Sequence, residues 1–226
     1  MHHSTSSAPT TGQPRKTSTS AAEQPLWQLA VVEGLLLTIA VVVIVLRRSL
    51  SEIPVGLAAP AALGLGLVLG GALGAGTGFV LLRSALRDHV VRGVLPLRPV
   101  ASAVWSVVVA GLLAGVCEEM LFRAALVPWI GVVWASILFG IAHSGTARLH
   151  EGISLGKTAY LLLAILAGVL LSQLYLSAGL LASISAHAAF DVAILLVLAP
   201  AISAAAGSAS ADVADERVAG PAPSRG

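Results

Sequence analysis

This sequence has few charged residues: only 11 % of its 226 residues are Asp, Glu, Lys or Arg, whereas 57 % are hydrophobic. A soluble domain carries about 25 % charged residues, so the composition argues against a water-soluble globular protein. Disorder over most of the chain is excluded too, because disordered chains are highly charged and poorly hydrophobic. The composition therefore indicates an integral membrane protein.

Aromatic residues, net charge and cysteine are also scarce. Aromatic residues make up 4 % of the chain and the net charge is only +2, so there is no basic, aromatic-rich surface and nucleic acid is not an expected partner. Cys117 is the single cysteine, which excludes an internal disulfide and a cysteine-based zinc site. The expected partners are the lipid bilayer and a peptide or membrane-protein substrate.

Six apolar stretches approach or exceed the length of about 20 residues that a membrane-spanning helix needs. They are residues 26–46, 55–82, 100–126, 129–146, 157–176 and 179–199. No stretch alternates as a membrane strand does, so the predicted fold class is all-α, a multi-pass transmembrane helical bundle with about six membrane spans. The predicted parts are a disordered tail at 1–25, two spans and a basic loop at 26–99, a membrane bundle at 100–199, and a disordered tail at 200–226.

Glycine recurs every fourth residue in the second span, at Gly66, Gly70, Gly74 and Gly78. Small residues at this spacing form a groove along one helix face and let a neighbouring backbone approach closely. The stripe therefore predicts a helix-packing surface, either within the chain or between chains.

Ionisable residues inside the spans are few, and each needs an explanation because a charge at the bilayer centre costs at least about 2.5–3.5 kcal/mol. They are Glu33, Glu118, Glu119, Arg123, His143, His187 and Asp191. Six of these seven fall in three C-terminal spans, whereas Glu33 in the first span has no partner that the sequence identifies.

Helical spacing groups these residues. Glu119 and Arg123 are four apart and can pair on one helix face, which leaves Glu118 about 100° round the helix as a candidate proton acceptor. The same spacing places Phe139 with His143, and His187 with Asp191, where the aspartate could orient the histidine. Counted from the span ends, Glu118, His143 and His187 all fall in the middle layer of the membrane.

Two schemes of water activation fit this constellation, and the sequence does not separate them. In the first, Glu118, His143 and His187 bind a divalent metal such as zinc, because two imidazoles and a carboxylate match a catalytic zinc site with an open position. In the second, Glu118 is the general base without a metal, His143 steers the water, and His187 with Asp191 polarises a carbonyl. Either scheme can hydrolyse a peptide bond.

Three motifs carry a resemblance to a known family. Glu-Glu-x-x-x-Arg at 118–123, Phe-x-x-x-His at 139–143 and His-x-x-x-Asp at 187–191 resemble, in order, the motifs of the CPBP family. That family includes the type II CAAX prenyl endopeptidases and bacterial bacteriocin-processing or immunity proteins. The similarity covers roughly residues 100–199, which the resemblance therefore marks as a catalytic membrane bundle.

The resemblance implies a role for each matching residue. Glu118 would activate the water, His143 would be its partner there, and His187 with Asp191 would stabilise the oxyanion, although prenyl endopeptidases usually have Asn where Asp191 stands. The residue after the motif's arginine is usually Gly in the family and is Ala124 here. The supporting residues would be Glu119, Arg123 and Phe139.

The sequence thus predicts an intramembrane endopeptidase, a CAAX-protease-like hydrolase that works by glutamate- and histidine-activated water. Two alternatives stay open. One is a non-catalytic membrane chaperone or immunity protein of the same fold. The other is a proton-coupled transporter, which would use Glu118 and the histidines as a relay.

The distribution of basic residues predicts the orientation in the cell membrane. With six spans and a cytoplasmic N-terminus, ten Lys and Arg residues lie inside and only Arg47 and Arg48 lie outside. Because basic loops stay in the cytoplasm, we expect both termini to be cytoplasmic. A reporter that is active only in the cytoplasm should therefore be active when fused after Arg225, and activity of an extracytoplasmic reporter there would contradict this topology.

Overall fold

The computed structural model describes residues 25–47, 49–54, 56–145 and 155–218. All regular elements in these ranges are helical, which confirms the predicted fold class for the described part of the chain. The helices are α1 (Leu26–Arg47), α2 (Ala59–Arg83), α3 (Arg87–Val94), α4 (Arg98–Ala101), α5 (Val104–Glu119), α6 (Val127–Gly145), α7 (Leu155–Ala178) and α8 (Leu180–Val218). A π-helical segment (Met120–Leu126) joins α5 to α6, and short 3₁₀ segments occupy Ser49–Glu52 and Leu95–Leu97.

Five helical stretches in the described residues are long and apolar enough to cross a membrane. They are Leu26–Arg47, Ala59–Arg83, Val104–His143, Thr158–Ala178 and Leu180–Ser208. The surface is apolar and the interior partly polar: Trp27, Val68 and Leu162 are at least 60 % exposed, whereas Glu119 and Arg123 are fully buried. This distribution is typical of a bundle whose solvent is lipid.

The stretch Val104–His143 contains a turn. Gly131 has φ 77° and ψ 168°, a conformation that glycine adopts without steric penalty, and the chain reverses there. The Phe122 and Phe139 rings, on either side of the turn, lie 5.1 Å apart. The segment after the turn therefore runs back along the π-helical segment and α5. The stretch Val104–His143 thus corresponds to the third and fourth predicted spans, and the five long apolar stretches agree with the roughly six spans that the sequence predicts.

The helix after this turn is short. Residues 132–145 of α6 span about 21 Å at 1.5 Å per residue, less than the bilayer core of about 30 Å. This length is nevertheless sufficient to return His143 to the level of Glu118, since His143 Nε2 lies 3.5 Å from Glu118 Oε2.

The glycine stripe of α2 packs against α8. Of the two predicted possibilities, packing within the chain or between chains, the structure shows the first. A Cβ atom at Gly66 would overlap Ser185 and the Ala182 carbonyl oxygen, and one at Gly70 would overlap the Ala186 carbonyl oxygen. Contacts advance in the same direction along both helices, so α2 and α8 run parallel within one chain. The close approach depends on the missing side chains, because any Cβ there would meet backbone atoms.

Two other contacts hold α5 in place. Gly115 packs against Ile184 and Ala188, so α5 lies directly on α8. On its other side, α5 and the π-helical segment contact α1, where Ile44 is buried in a cluster with Leu121 and Phe122. The bundle therefore surrounds the helix that carries Glu118 and Glu119 with both α1 and α8.

Two sequence expectations differ from the structure at helix ends. The α7–α8 link is Gly179, with φ 91°, rather than residues 177–178 between the fifth and sixth predicted spans, because glycine adopts this left-handed turn most easily. Helix α8 also continues past Pro200 to Val218, although the sequence predicts a disordered tail from 200. The segment is rich in alanine, the best helix former, and a single proline is tolerated. Residues 1–24 and 219–226 of the two predicted tails lie outside the described residues.

The α2–α8 contact generates a stability prediction with a matched control. Gly70→Ala should lower the Tm of the purified protein, because overpacking costs about 1–3 kcal/mol. Gly71→Ala, one residue further, meets no atom within 4 Å and should keep or raise the Tm, since alanine favours helix by about 1 kcal/mol. Equal Tm values for the two variants in a thermal unfolding experiment would contradict the close contact.

Candidate functional site

A buried ion pair lies at the centre of the site. Arg123 Nη1 is 2.9 Å from Glu119 Oε1, and the two side chains are 1 % and 0 % exposed. Arg123 Nη2 also donates to the Gly168 carbonyl of α7 at 3.2 Å, and the guanidinium lies 4.5 Å from the centre of the Phe139 ring. These contacts attach α5, α6 and α7 to one cation, whereas Arg123 Nε and Glu119 Oε2 have no hydrogen-bond partner among the described residues.

A π-helical segment begins directly after Glu119. The amide of Val127 donates to the carbonyl of Phe122, five residues earlier, instead of the four of an α-helix. Such segments occur frequently at functional sites, and this one carries Arg123. The sequence does not predict this segment, because the Glu119–Arg123 spacing is compatible with an ordinary α-helix.

The Glu119 carboxylate also orients His187. Its Oε1 accepts a hydrogen bond from His187 Nδ1 at 2.8 Å, so Nε2 is the ring nitrogen that faces the site. That atom lies 3.9 Å from Glu118 Oε2 and 3.6 Å from Asp191 Oδ2. The sequence analysis proposed Asp191 as the residue that orients His187, whereas in the structure Glu119 makes the shorter contact.

His143 is oriented in a similar way. A carbonyl oxygen only accepts, so His143 Nδ1 donates to the Phe139 carbonyl at 2.9 Å, and Nε2 lies 3.5 Å from Glu118 Oε2. The Phe139 ring lies 4.2 Å from the His143 ring and 5.6 Å from the His187 ring. Phe139 therefore fixes both imidazoles, through its backbone and through its ring.

The geometry brings three acceptor groups together. With the proton at Nδ1, a neutral imidazole presents a lone pair at Nε2, and in both histidines this atom faces Glu118. Glu118 Oε2 has no hydrogen-bond partner among the described residues. Three acceptors cannot satisfy one another, so this arrangement favours a positive ion, a proton or a hydrogen-bond donor such as water between them.

The donor set also fits a metal ion. Glu118, His143 and His187 each offer one ligand atom, and these atoms lie within 4.8 Å of one another. Metal-binding histidines usually donate their other ring nitrogen to a carboxylate or a carbonyl, as both do here. The cluster can therefore hold a divalent ion such as zinc through the three residues that the sequence analysis named.

The side-chain exposures show where the site is open. Those of His187 and Glu118 are 4 % and 12 %, whereas those of His143 and Asp191 are 27 % and 29 %. Tyr160, near the start of α7, interacts electrostatically with Asp191 and Glu118. The site is therefore closed at His187 and accessible near His143 and Asp191.

All the residues that the sequence analysis selected from the three C-terminal spans lie together. Glu118, Glu119, Arg123, Phe139, His143, His187 and Asp191 make the contacts given above. Helical periodicity and intramembrane charge were sufficient to find them. Glu33 was recognised only as an unexplained charge, and the structure places it close enough to interact electrostatically with Glu118, His187 and Asp191. Its position depends on how α1 packs, which no local pattern encodes.

A comparison with protein families found one match, which covers the segment that carries the site. Residues 100–193 match the family described as type II CAAX prenyl endopeptidase Rce1-like. This segment is therefore similar to that family, and the resemblance carried by the three motifs is confirmed over these residues. The family implies a protease in general terms. No curated protein and no solved structure matched the chain.

The buried ion pair yields a prediction about stability. Arg123→Met should strongly lower the Tm, since removing one partner of a buried pair costs about 3–5 kcal/mol. The double variant Glu119→Gln/Arg123→Met should lose less than the sum of the two single variants, because it leaves no unpaired charge. Additive losses of Tm in the four-protein cycle would contradict a direct pairing of Glu119 with Arg123.

Proposed function

We propose that the protein is an intramembrane endopeptidase of the CAAX-protease type, in which Glu118 activates a water for attack on a peptide carbonyl. The observation that carries the proposal is the convergence of Glu118 Oε2 with Nε2 of His143 and of His187, at 3.5 Å and 3.9 Å. The Rce1-like match over residues 100–193 supports the same reaction class.

The proposed reaction assigns a role to each group. Glu118 accepts a proton from the water, the water oxygen forms a bond to the carbonyl carbon, and the proton passes to the nitrogen as the C–N bond breaks. His143 orients the water through Nε2. The products are a free carboxylate and a free amine, so no further reactant is needed.

The remaining residues hold this arrangement. His187 and Asp191 adjoin at 3.6 Å, and by resemblance they stabilise the oxyanion. Because His187 Nδ1 already donates to Glu119, this role requires a doubly protonated His187 that donates from Nε2. Glu119, Arg123 and Phe139 fix the two imidazoles. If a divalent metal is bound, Glu118, His143 and His187 would hold it, and it would supply Lewis-acid polarisation.

Burial gives the site its chemical advantage. Water is scarce and the local dielectric is low inside a bundle surrounded by lipid, so each charge–dipole contact is stronger than in solution. The accessible groups are His143 and Asp191, which lie at the open side of the site. A peptide that enters from the membrane would meet these residues before Glu118.

A cleavage assay tests the proposal. The probe is a fluorogenic peptide with a farnesylated CAAX end, incubated with purified protein in detergent. Glu118→Gln and His143→Ala should each lower kcat/KM by about 10²–10⁴, the usual contribution of general-base catalysis. Cys117→Ala is the matched control, because Cys117 is buried beside Glu118 without a place in the reaction, and it should retain cleavage and thereby exclude a cysteine nucleophile.

Equal cleavage by wild type and Glu118→Gln would contradict the proposal and favour a partner-binding role. If wild type leaves the farnesylated peptide intact, the new peptide ends in membranes of cells that produce wild type or Glu118→Gln should be compared, and identical sets would also contradict it. Metal content, measured with the effect of a chelator on cleavage, decides between the two schemes. A chelator-sensitive protein with one ion per chain follows the metal scheme, and an insensitive, metal-free one follows the glutamate scheme.

A further inference from the structure

Glu33 is a buried acid in α1, a helix whose other side chains are mostly exposed. It is 3 % exposed, whereas its neighbours Val31 and Val32 are 63 % and 54 % exposed. The buried residues of α1 are Glu33, Ala40 and Ile44, which lie on one face towards α5. The helix thus directs its single acid into the protein and not to the headgroups.

Packing alone does not explain this glutamate. Glu33 Oε2 is buried and has no hydrogen-bond partner among the described residues. The groups that interact with it electrostatically are Glu118, His187 and Asp191, of which two are acids. A buried carboxylate oxygen without a hydrogen-bond partner destabilises a fold, and an apolar residue would suit this helix face better. A residue that opposes stability in this way is typical of a functional site.

Glu33 lies outside the segment that matches the protease family, since the match begins at residue 100. Even so, it is directed towards the same site. Glu33 Oε2 and Glu118 Oε2 are both buried acceptors without a hydrogen-bond partner in the described residues. A water molecule has two O–H groups and can satisfy two acceptors at once, as buried waters commonly do.

We propose that Glu33 is a further residue of the site, which binds a water beside Glu118 and thereby positions the Glu118 carboxylate. The inference rests on the proposed peptidase function. Glu33 acts through the water and through Glu118, so it is a positioning residue. Its loss should reduce the rate of the chemical step more than the binding of the peptide.

The test compares Glu33→Leu and Glu33→Gln with wild type, and Val32→Leu is the matched control on the lipid-exposed side of the same helix. Glu33→Leu should lower kcat for the farnesylated peptide at least tenfold, with KM changed less than twofold. Glu33→Gln keeps one acceptor and should lose less, about threefold to tenfold. Val32→Leu should behave as wild type.

Thermal unfolding supplies a readout that does not depend on cleavage. If Glu33 serves the site and not the fold, Glu33→Leu should raise the Tm by about 2–4 °C. A lower Tm with an unchanged kcat would identify a structural role and overturn the proposal. If Glu33→Leu does not fold, Glu33→Gln decides the matter, and an unchanged kcat in that variant overturns the proposal.

The outcomes separate this inference from the proposed function. Loss of cleavage in Glu118→Gln together with full kcat in both Glu33 variants would overturn the role of Glu33 and leave the peptidase function intact. Unchanged cleavage in Glu118→Gln would overturn the peptidase function itself. In that case, a raised Tm in Glu33→Leu would still mark Glu33 as a residue kept for a reason other than stability.

Discussion

The double contact of the Glu119 carboxylate is the constraint on which the site depends. One oxygen, Oε1, lies 2.9 Å from Arg123 and 2.8 Å from His187, so a single buried atom links α5, the π-helical segment and α8. Arg123 extends the link to α7 through the Gly168 carbonyl. Glu119 Oε2 and Arg123 Nε have no hydrogen-bond partner among the described residues, so Oε1 is the acceptor through which the carboxylate makes both contacts. The orientation of His187, and therefore the direction of its Nε2 towards Glu118, follows from this arrangement.

Small residues make that arrangement possible. The site needs side chains from α5, α6 and α8 within hydrogen-bonding range of one another, which requires close backbone approach. Gly115 provides it between α5 and α8, and Gly66 and Gly70 fix α8 against α2 from the other side. Gly131 then reverses the chain so that the short α6 ends beside Glu118. Glycines thus set the distances between helices, and these short distances allow the few charged residues to contact one another.

Much of the site was predictable from the sequence, because lipid strongly limits where charged residues can occur. A charged residue in a membrane helix needs a partner, so Glu118, Glu119, Arg123, His143, His187 and Asp191 were identifiable by their position alone. The Glu119–Arg123 pair followed from helical spacing. Three features did not follow: the orientation of His187 by Glu119 across 68 positions of sequence, the π-helical segment, and the burial of Glu33. Each depends on which helices become neighbours, and local periodicity contains no information about that choice. The predicted end of the last helix was also too early, because an Ala- and Ser-rich stretch is compatible with either a disordered tail or a helix.

The packing of α1 and α2 has a consequence for the limits of the functional unit. The segment that resembles a protease family starts at residue 100, yet α2 covers one side of α8 and α1 covers one side of α5. Expressed alone, residues 100–199 would present to lipid the faces that meet Gly66 and Gly70, together with those that meet Ile44 and Glu33. Residues 100–199 are therefore not an independent unit that could be exchanged by itself. An exchange of this segment with that of a relative would have to carry the complementary faces of both N-terminal helices with it.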